Sequence, residues 1–140
     1  STYKWSAVYA EKGTIQTSSR KVKENIEPEP EEKAARLLDV DVVRFDYKEG
    51  FLNSVGRKGW YGVIAEDVHD DFPDVVLDWG VTGEVDDLTG EPVEVYPGVS
   101  YEAFVPHIIK LCQMQQKQID DLAARVAALE GSVSAPPAQA

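Results

Sequence analysis

A hydrophobic repeat with alternating spacings of three and four residues runs along the C-terminal part of the chain. Seven of its eight positions are apolar or thiol, and Gln115 is the exception. A repeat of this kind sustained over four heptads predicts a coiled coil rather than a helix that lies flat on a core. The seam positions are Val105, Ile108, Cys112, Gln115, Ile119, Leu122, Val126 and Leu129.

This repeat predicts a long C-terminal helix over about residues 104–130 that acts as an oligomerisation element. The residue types in the seam do not decide between a dimer and a trimer. A buried polar layer at Gln115 can specify register and strand number at some cost in stability. Gly131 is expected to end the helix, and the Ser/Ala/Pro tail of residues 132–140 is expected to be disordered.

Size and charge exclude several classes of partner. The chain has 140 residues, which suits one domain, and a net charge of −11, which repels nucleic-acid phosphates. No apolar run approaches the roughly 20 residues that cross a bilayer, so no membrane partner is expected. Cys112, His69 and His107 are too sparse for a zinc site, and neither a metal nor another cofactor is expected.

The rest of the chain predicts a small α+β globular body. Aromatic and β-branched residues within residues 1–16 favour strands. Residues 31–38 follow two prolines and predict a short helix with acidic residues in its first turn. Residues 40–47 suggest a strand, and residues 60–68 suggest a strand followed by a short helix. Gly62 in that last segment is expected to permit a close approach of another part of the chain.

Residues 75–101 are predicted to form a strand, a turn and a returning strand. Residues 86–90 carry turn chemistry, with two aspartates and a glycine. This hairpin is long and polar for a compact domain, and by pattern alone it suits a solvated surface hairpin. The returning strand would contain Val93, Val95 and Tyr96.

Ser18 and Lys23 near the start of the chain form a minimal pair of nucleophile and base. A serine hydroxyl needs a neighbour that takes its proton, and a lysine does so only when burial or positive charge favours its neutral form. Arg20 and Lys21 supply positive charge. The hydroxyl can attack the preceding Thr17 carbonyl through a five-membered ring. On spacing alone, a solvated basic turn is the more common explanation.

Five blocks of sequence, in order, carry a resemblance that covers most of residues 17–130. They are Ser18-Ser19-Arg20-Lys21-Val22-Lys23-Glu24-Asn25-Ile26, Phe45-Asp46-Tyr47-Lys48, Tyr61-Gly62-Val63-Ile64-Ala65-Glu66-Asp67-Val68, Phe72-Pro73-Asp74-Val75-Val76, and Val99-Ser100-Tyr101 with Val105-Pro106 and the Gln-rich helix from Ile108. Together they resemble the intramolecular chaperone auto-processing domains, the S74 peptidase family. The first block follows that family's pattern Ser-Asp-x-Arg-Leu-Lys-x-Asn-Ile, except that Ser19 stands in place of aspartate.

The resemblance implies a homotrimeric domain at the C-terminus of a phage tailspike, tail fibre, neck appendage or endosialidase. Such a domain helps its own upstream stalk to fold, with a protruding hairpin arm, here about residues 78–98, embracing the stalk, and then cleaves itself off. By this match Ser18 is the nucleophile, Lys23 the general base, and the cut falls between Thr17 and Ser18. Residues 1–17 would then end the client stalk, and residues 18–131 would form the chaperone domain.

The same resemblance implies assembly in the host cytoplasm, with the upstream client going to the virion tail. Ser19 puts the hydrogen bonding of the first turn in question and is a second candidate nucleophile. Ser18 is preferred over Ser19 because its spacing to Lys23 matches the family pattern.

Three functions are therefore compared. The leading hypothesis is a serine peptidase that acts once, on its own chain. The alternative is a non-cleaving trimerisation cap retained on the mature fibre, with residues 1–16 as an ordinary first strand of the domain. A free-standing hydrolase has little support, because the sequence has no Ser-His-Asp set, metal cluster or phosphate-binding loop.

Overall fold

A computed structural model describes residues 7–10, 13–16, 18–49, 58–80, 83 and 85–134. Within these ranges, six short strands pair into three two-stranded antiparallel sheets, accompanied by two short helices and one long C-terminal helix. The predicted α+β class is confirmed. No helix in these ranges is long and apolar enough to span a membrane.

The N-terminal segment forms a hairpin. Strand β1, Ala7–Ala10, pairs antiparallel with β2, Gly13–Gln16, in a register that places Ala7 opposite Gln16. The strands predicted within residues 1–16 are therefore present. The assignment of this hairpin to a client stalk stays a prediction.

The first helix begins where the two prolines allow it. Helix α1, Glu31–Ala35, follows Pro30 directly, and the chain continues as a 3₁₀ turn over Arg36–Asp39. Proline suits this position because it cannot occupy a helix interior without loss of a hydrogen bond. The acidic residues of the first turn interact favourably with the helix dipole. The predicted helix over residues 31–38 is confirmed, with its last turn tightened.

The middle of the chain forms a second strand pair and a short helix. Strand β3, Val43–Phe45, pairs antiparallel with β4, Trp60–Gly62, and helix α2, Ala65–Val68, follows. Gly62 lies against Tyr101: a Cβ at Gly62 would stand 2.1 Å from the tyrosine hydroxyl oxygen. That oxygen also accepts a hydrogen bond from the backbone N–H of Val63 at 3.1 Å. The predicted close approach at Gly62 is confirmed.

Substitution of Gly62 by alanine should therefore destabilise the domain. The added methyl group overlaps the Tyr101 hydroxyl, and overpacking of this kind costs about 1–3 kcal/mol. Chemical denaturation of Gly62→Ala measures the loss. Adding Tyr101→Phe to Gly62→Ala removes the clashing oxygen and should recover part of it. An unchanged unfolding midpoint in Gly62→Ala would contradict the expectation.

The third strand pair lies at the base of the predicted arm. Strand β5, Val76–Leu77, pairs antiparallel with β6, Gly98–Val99, and an isolated bridge joins Val85 to Pro92 farther along. Asp86 forms the predicted turn: its Oδ1 accepts hydrogen bonds from the backbone N–H groups of Leu88 at 2.8 Å and Thr89 at 2.9 Å. Both hydrogen bonds lower the pKa of Asp86, and the bond from Thr89 has the larger effect.

The returning strand is shorter than predicted. Its predicted members Val93, Val95 and Tyr96 have no strand structure, and only Gly98–Val99 pairs. Pro92 and Pro97 bracket this stretch, and proline has no N–H to donate to a strand ladder.

The C-terminal helix is longer than predicted. Helix α3 runs over Phe104–Ser134, 31 residues, and passes through Gly131. Gly131 does not take the positive φ of a left-handed helix cap. A glycine inside a helix costs only about 1 kcal/mol relative to alanine, which a long helix tolerates. The predicted helix end at Gly131 is therefore wrong, and so is the predicted disorder of residues 132–134. Residues 135–140 lie outside the described part of the chain.

The hydrophobic core lies where α2 and the turn after it meet the start of α3. Phe72 and Val75 are fully buried, and the Phe72 ring centroid lies 5.7 Å from that of Phe104. Helix α1 also packs against α3. The other buried apolar residues are Ala34, Ala65, Val68 and Val76. This core supports the first turns of α3.

Candidate active site

The structure brings the predicted nucleophile and base together. Ser18 Oγ lies 2.8 Å from Lys23 Nζ. A 3₁₀ turn over Arg20–Val22 separates them, and the backbone N–H of Lys23 donates to the Arg20 carbonyl at 3.4 Å. This turn folds the chain back, so a spacing of five residues becomes a side-chain contact.

Ser19 caps this turn. Its Oγ accepts a hydrogen bond from the backbone N–H of Lys21 at 3.3 Å, and its backbone is extended. Serine and aspartate both serve well at such a position, because either supplies an oxygen to a free N–H. The hydrogen bonding of the first turn is therefore present with Ser19. Ser18, rather than Ser19, contacts Lys23.

The pair is open to solvent in the single chain. Ser18 and Lys23 are both exposed, and Lys23 forms no ion pair with a carboxylate in the described part of the chain. A separation of 2.8 Å suits proton transfer between a hydroxyl and a neutral amine. Thr17, whose carbonyl would be attacked, lies outside the described residues.

The other predicted site residues lie along α3. All eight seam positions are exposed in the single chain, with side chains such as Ile119 and Leu122 more than half exposed. Exposed apolar side chains repeating at the coiled-coil spacing form a face that is suited to burial against other helices. In the described ranges, no group of three or more His, Cys, Asp or Glu side chains could hold a metal ion.

His107 is a structural residue that the sequence analysis weighed only as a metal ligand. It is 6% exposed, and its Nδ1 makes a close hydrogen bond with Glu29 Oε1. Its Nε2 lies 2.7 Å from Asp74 Oδ2. Only a protonated imidazolium can donate hydrogen bonds from both ring nitrogens, so His107 donates to both carboxylates in that form. Its position three residues after the buried Phe104, off the seam, is the sequence signal that it faces the core.

Asp74 joins His107 to helix α1. Lys33 Nζ lies 2.7 Å from Asp74 Oδ1, on the carboxylate oxygen that His107 does not use. Partial burial acts to raise the pKa of Asp74, but the hydrogen bonds from Lys33 and His107 outweigh it and hold the pKa below its usual value. The carboxylate form is therefore favoured by folding.

This lowered pKa predicts a specific loss of stability in acid. An unfolded aspartate titrates at about pH 3.9. The contribution of Asp74 to stability is therefore complete above that pH and is lost as the pH falls through the lower folded pKa. Thermal unfolding of wild type and Asp74→Asn at several pH values should show wild type more stable at about pH 6, with the difference shrinking toward about pH 2. A constant difference across that range would argue against this role of Asp74.

The chain is similar to one known family over part of its length. Residues 18–77 match the Peptidase_S74 family model, described as chaperone of endosialidase. The match begins at Ser18, includes Lys23, and ends at the last residue of β5. The family resemblance predicted from the sequence is confirmed over these residues, and it supports a chaperone role. No curated protein matches the chain.

Proposed function

We propose that this chain is the C-terminal intramolecular chaperone of a phage fibre or spike protein, and that it releases itself by cleavage between Thr17 and Ser18. It would act as a homotrimer on its own upstream segment. The observation that carries the proposal is the 2.8 Å contact between Ser18 Oγ and Lys23 Nζ. The family match, which begins at that serine, supports it.

The proposed reaction uses two side chains and water. The Ser18 hydroxyl attacks the Thr17 carbonyl carbon while its proton passes to the neutral Lys23 amine. The C–N bond then breaks as the proton moves from Lys23 to the Ser18 nitrogen. The product is an ester between the Thr17 acyl group and Ser18 Oγ, with a free amino group on Ser18. Water hydrolyses the ester, which leaves a Thr17 carboxylate and restores the hydroxyl.

Two apolar surfaces support the trimer. The first is the exposed seam of α3. The second is an apolar groove of about 530 Å³ at the base of that helix, lined by residues that include Leu37, Val40, Tyr61, Ile108 and Leu111. Ile108 belongs to both surfaces, so they are continuous. Contact with neighbouring copies would remove both surfaces from water, at roughly 25 cal/mol for each Å² of apolar area.

A trimer of this kind would help an upstream stalk to fold. Chains that pair over long distances fold slowly, because the entropy of loop closure must be overcome before the contacts form. A C-terminal coiled coil would bring three chains into register early. Cleavage would then remove this guide, and the stalk would persist because its unfolding is slow and its refolding is no longer assisted.

The second candidate function is a trimerisation cap that stays attached. The exposure of Ser18 and Lys23 in the single chain favours it, because neither side chain is removed from water there. Under this proposal the pair has no catalytic role and the domain remains on the mature fibre.

Denaturing electrophoresis of the freshly expressed chain, with N-terminal sequencing of the product, separates the two functions. Self-cleavage produces a fragment that begins at Ser18 and has lost residues 1–17. An intact chain after long incubation as a trimer supports the cap instead.

A further inference from the structure

We propose that Ser19 is a positioning residue for the cleavage, because its hydroxyl caps the turn that brings Ser18 to Lys23. Two adjacent serines would then have different roles: Ser18 attacks, and Ser19 determines how often the attacking hydroxyl lies against its base. This inference rests on the proposed self-cleavage and names a further residue that controls its rate.

The contact of Ser18 with Lys23 depends on the turn between them. A fully extended chain would separate residues five positions apart by roughly 17 Å, which a lysine side chain cannot reach across. In the structure the 3₁₀ turn over Arg20–Val22 closes this distance, and Ser18 Oγ lies 2.8 Å from Lys23 Nζ. Opening of the turn would therefore separate the nucleophile from the base.

Few hydrogen bonds hold this turn. The backbone N–H of Val22 donates to the Ser19 carbonyl at 3.1 Å, and that of Lys23 donates to the Arg20 carbonyl at 3.4 Å. The cap adds the bond from the Lys21 N–H to Ser19 Oγ at 3.3 Å. A single exposed helical turn is marginal in water, because fixing its backbone dihedrals costs more than its few bonds return. The fraction of chains with the turn formed should therefore depend on the cap.

The other 3₁₀ turns in the described part of the chain have no such cap. They cover Arg36–Asp39, Pro73–Val75 and Tyr101–Ala103, and the residue before each makes no capping side-chain hydrogen bond. These turns pack on the body instead: the first against α1 and α3, and the other two against each other. All three residues of the turn beside Ser18 are exposed, so its capping hydroxyl does what packing does for the others.

The test compares Ser19→Ala, Ser19→Asn and Ser100→Ala in the full chain. Ser100 precedes the turn over Tyr101–Ala103 with an extended backbone, as Ser19 precedes its turn, but makes no capping bond. Ser100→Ala is therefore the matched control. Mass spectrometry gives the first-order rate at which residues 1–17 are lost and the first residue of the product, and calorimetry gives Tm.

We expect Ser19→Ala to be cleaved about 5-fold more slowly, which is the usual effect of a lost cap on the population of the capped form. The product should still begin at Ser18, and Tm should be nearly unchanged because the turn is exposed. Ser19→Asn should restore the rate, since asparagine caps as well as serine, and Ser100→Ala should match wild type. Asparagine has no hydroxyl, so this recovery also separates capping from attack by Ser19.

Two results would overturn the positioning role while self-cleavage stands. One is a wild-type cleavage rate in Ser19→Ala. The other is a rate in Ser19→Asn as low as in Ser19→Ala, because the hydroxyl would then act in some way other than as a cap. If wild type itself is never cleaved, the proposed function fails and the positioning role fails with it.

Discussion

Ser18→Ala should abolish release of the fragment that begins at residue 18 and leave the fold intact. Alanine lacks the oxygen that attacks the Thr17 carbonyl, and loss of a nucleophile commonly lowers a rate by on the order of 10³-fold or more. Ser18 is exposed, and among the described residues its side chain hydrogen-bonds only with Lys23, so its removal should change Tm little. Denaturing electrophoresis over time measures release, and calorimetry checks the fold.

Two companion variants make this prediction specific. Lys23→Arg keeps the positive charge, but a guanidinium stays protonated and cannot take the proton of Ser18, so cleavage should be as slow as in Ser18→Ala. Ser19→Ala removes the cap of the turn and leaves both reacting groups, so the chain should still be cut before residue 18. Release of the same fragment from Ser18→Ala would exclude Ser18 as nucleophile, and loss of cleavage in Ser19→Ala alone would point to Ser19.

Introduction of aspartate at Leu122 and Val126 should abolish trimers of the full chain. Both positions belong to the seam, and both side chains are about half exposed in the single chain, 55% and 50%. In a trimer these substitutions would bring six carboxylates into the helix interface, and burial of unpaired charges costs several kcal/mol for each ion. Sedimentation equilibrium should give the mass of one chain for the variant and of three chains for the unsubstituted protein.

Ala124→Asp with Ala128→Asp is the matched control for this variant. These alanines have the same spacing of four residues on α3 but lie outside the seam. Their substitution adds the same charge and loses at least as much helix propensity, because alanine is the strongest helix former. The control should remain trimeric. A trimeric seam variant would refute the assembly proposal, and dissociation of both variants would attribute the effect to charge or helix propensity instead of the seam.

Local sequence patterns predicted several elements correctly. The 3–4 repeat from Val105 predicted the long helix, because helical periodicity is a property of neighbouring residues. The proline at residue 30 predicted where α1 begins, and Asp86 and Gly90 predicted a turn, because each restricts or caps the backbone locally. Ser18 and Lys23 belong to this group too, since their contact depends on a single 3₁₀ turn between them.

The wrong predictions came from residue preferences whose free energies are small compared with those of the surrounding structure. A glycine at residue 131 favours a helix end by only about 1 kcal/mol, and α3 continues past it to Ser134. The β-branched residues Val93 and Val95 favour a strand, but strand propensity has no effect without a partner that supplies hydrogen bonds, and the nearby prolines limit such pairing.

The reactive groups of the candidate site can be recognised from residues close together in sequence, because the nucleophile, the base and the turn between them all lie within Ser18 to Lys23. The contacts of His107, in contrast, join residues that are far apart in sequence. Glu29 stands 78 positions before His107, and Asp74 stands 33 positions before it, so no local pattern relates these side chains. Burial of Phe72 against Phe104 brings α3 to the rest of the chain and so creates the contacts of His107. Such long-range pairings depend on the packing of the whole core, which no short stretch of sequence encodes.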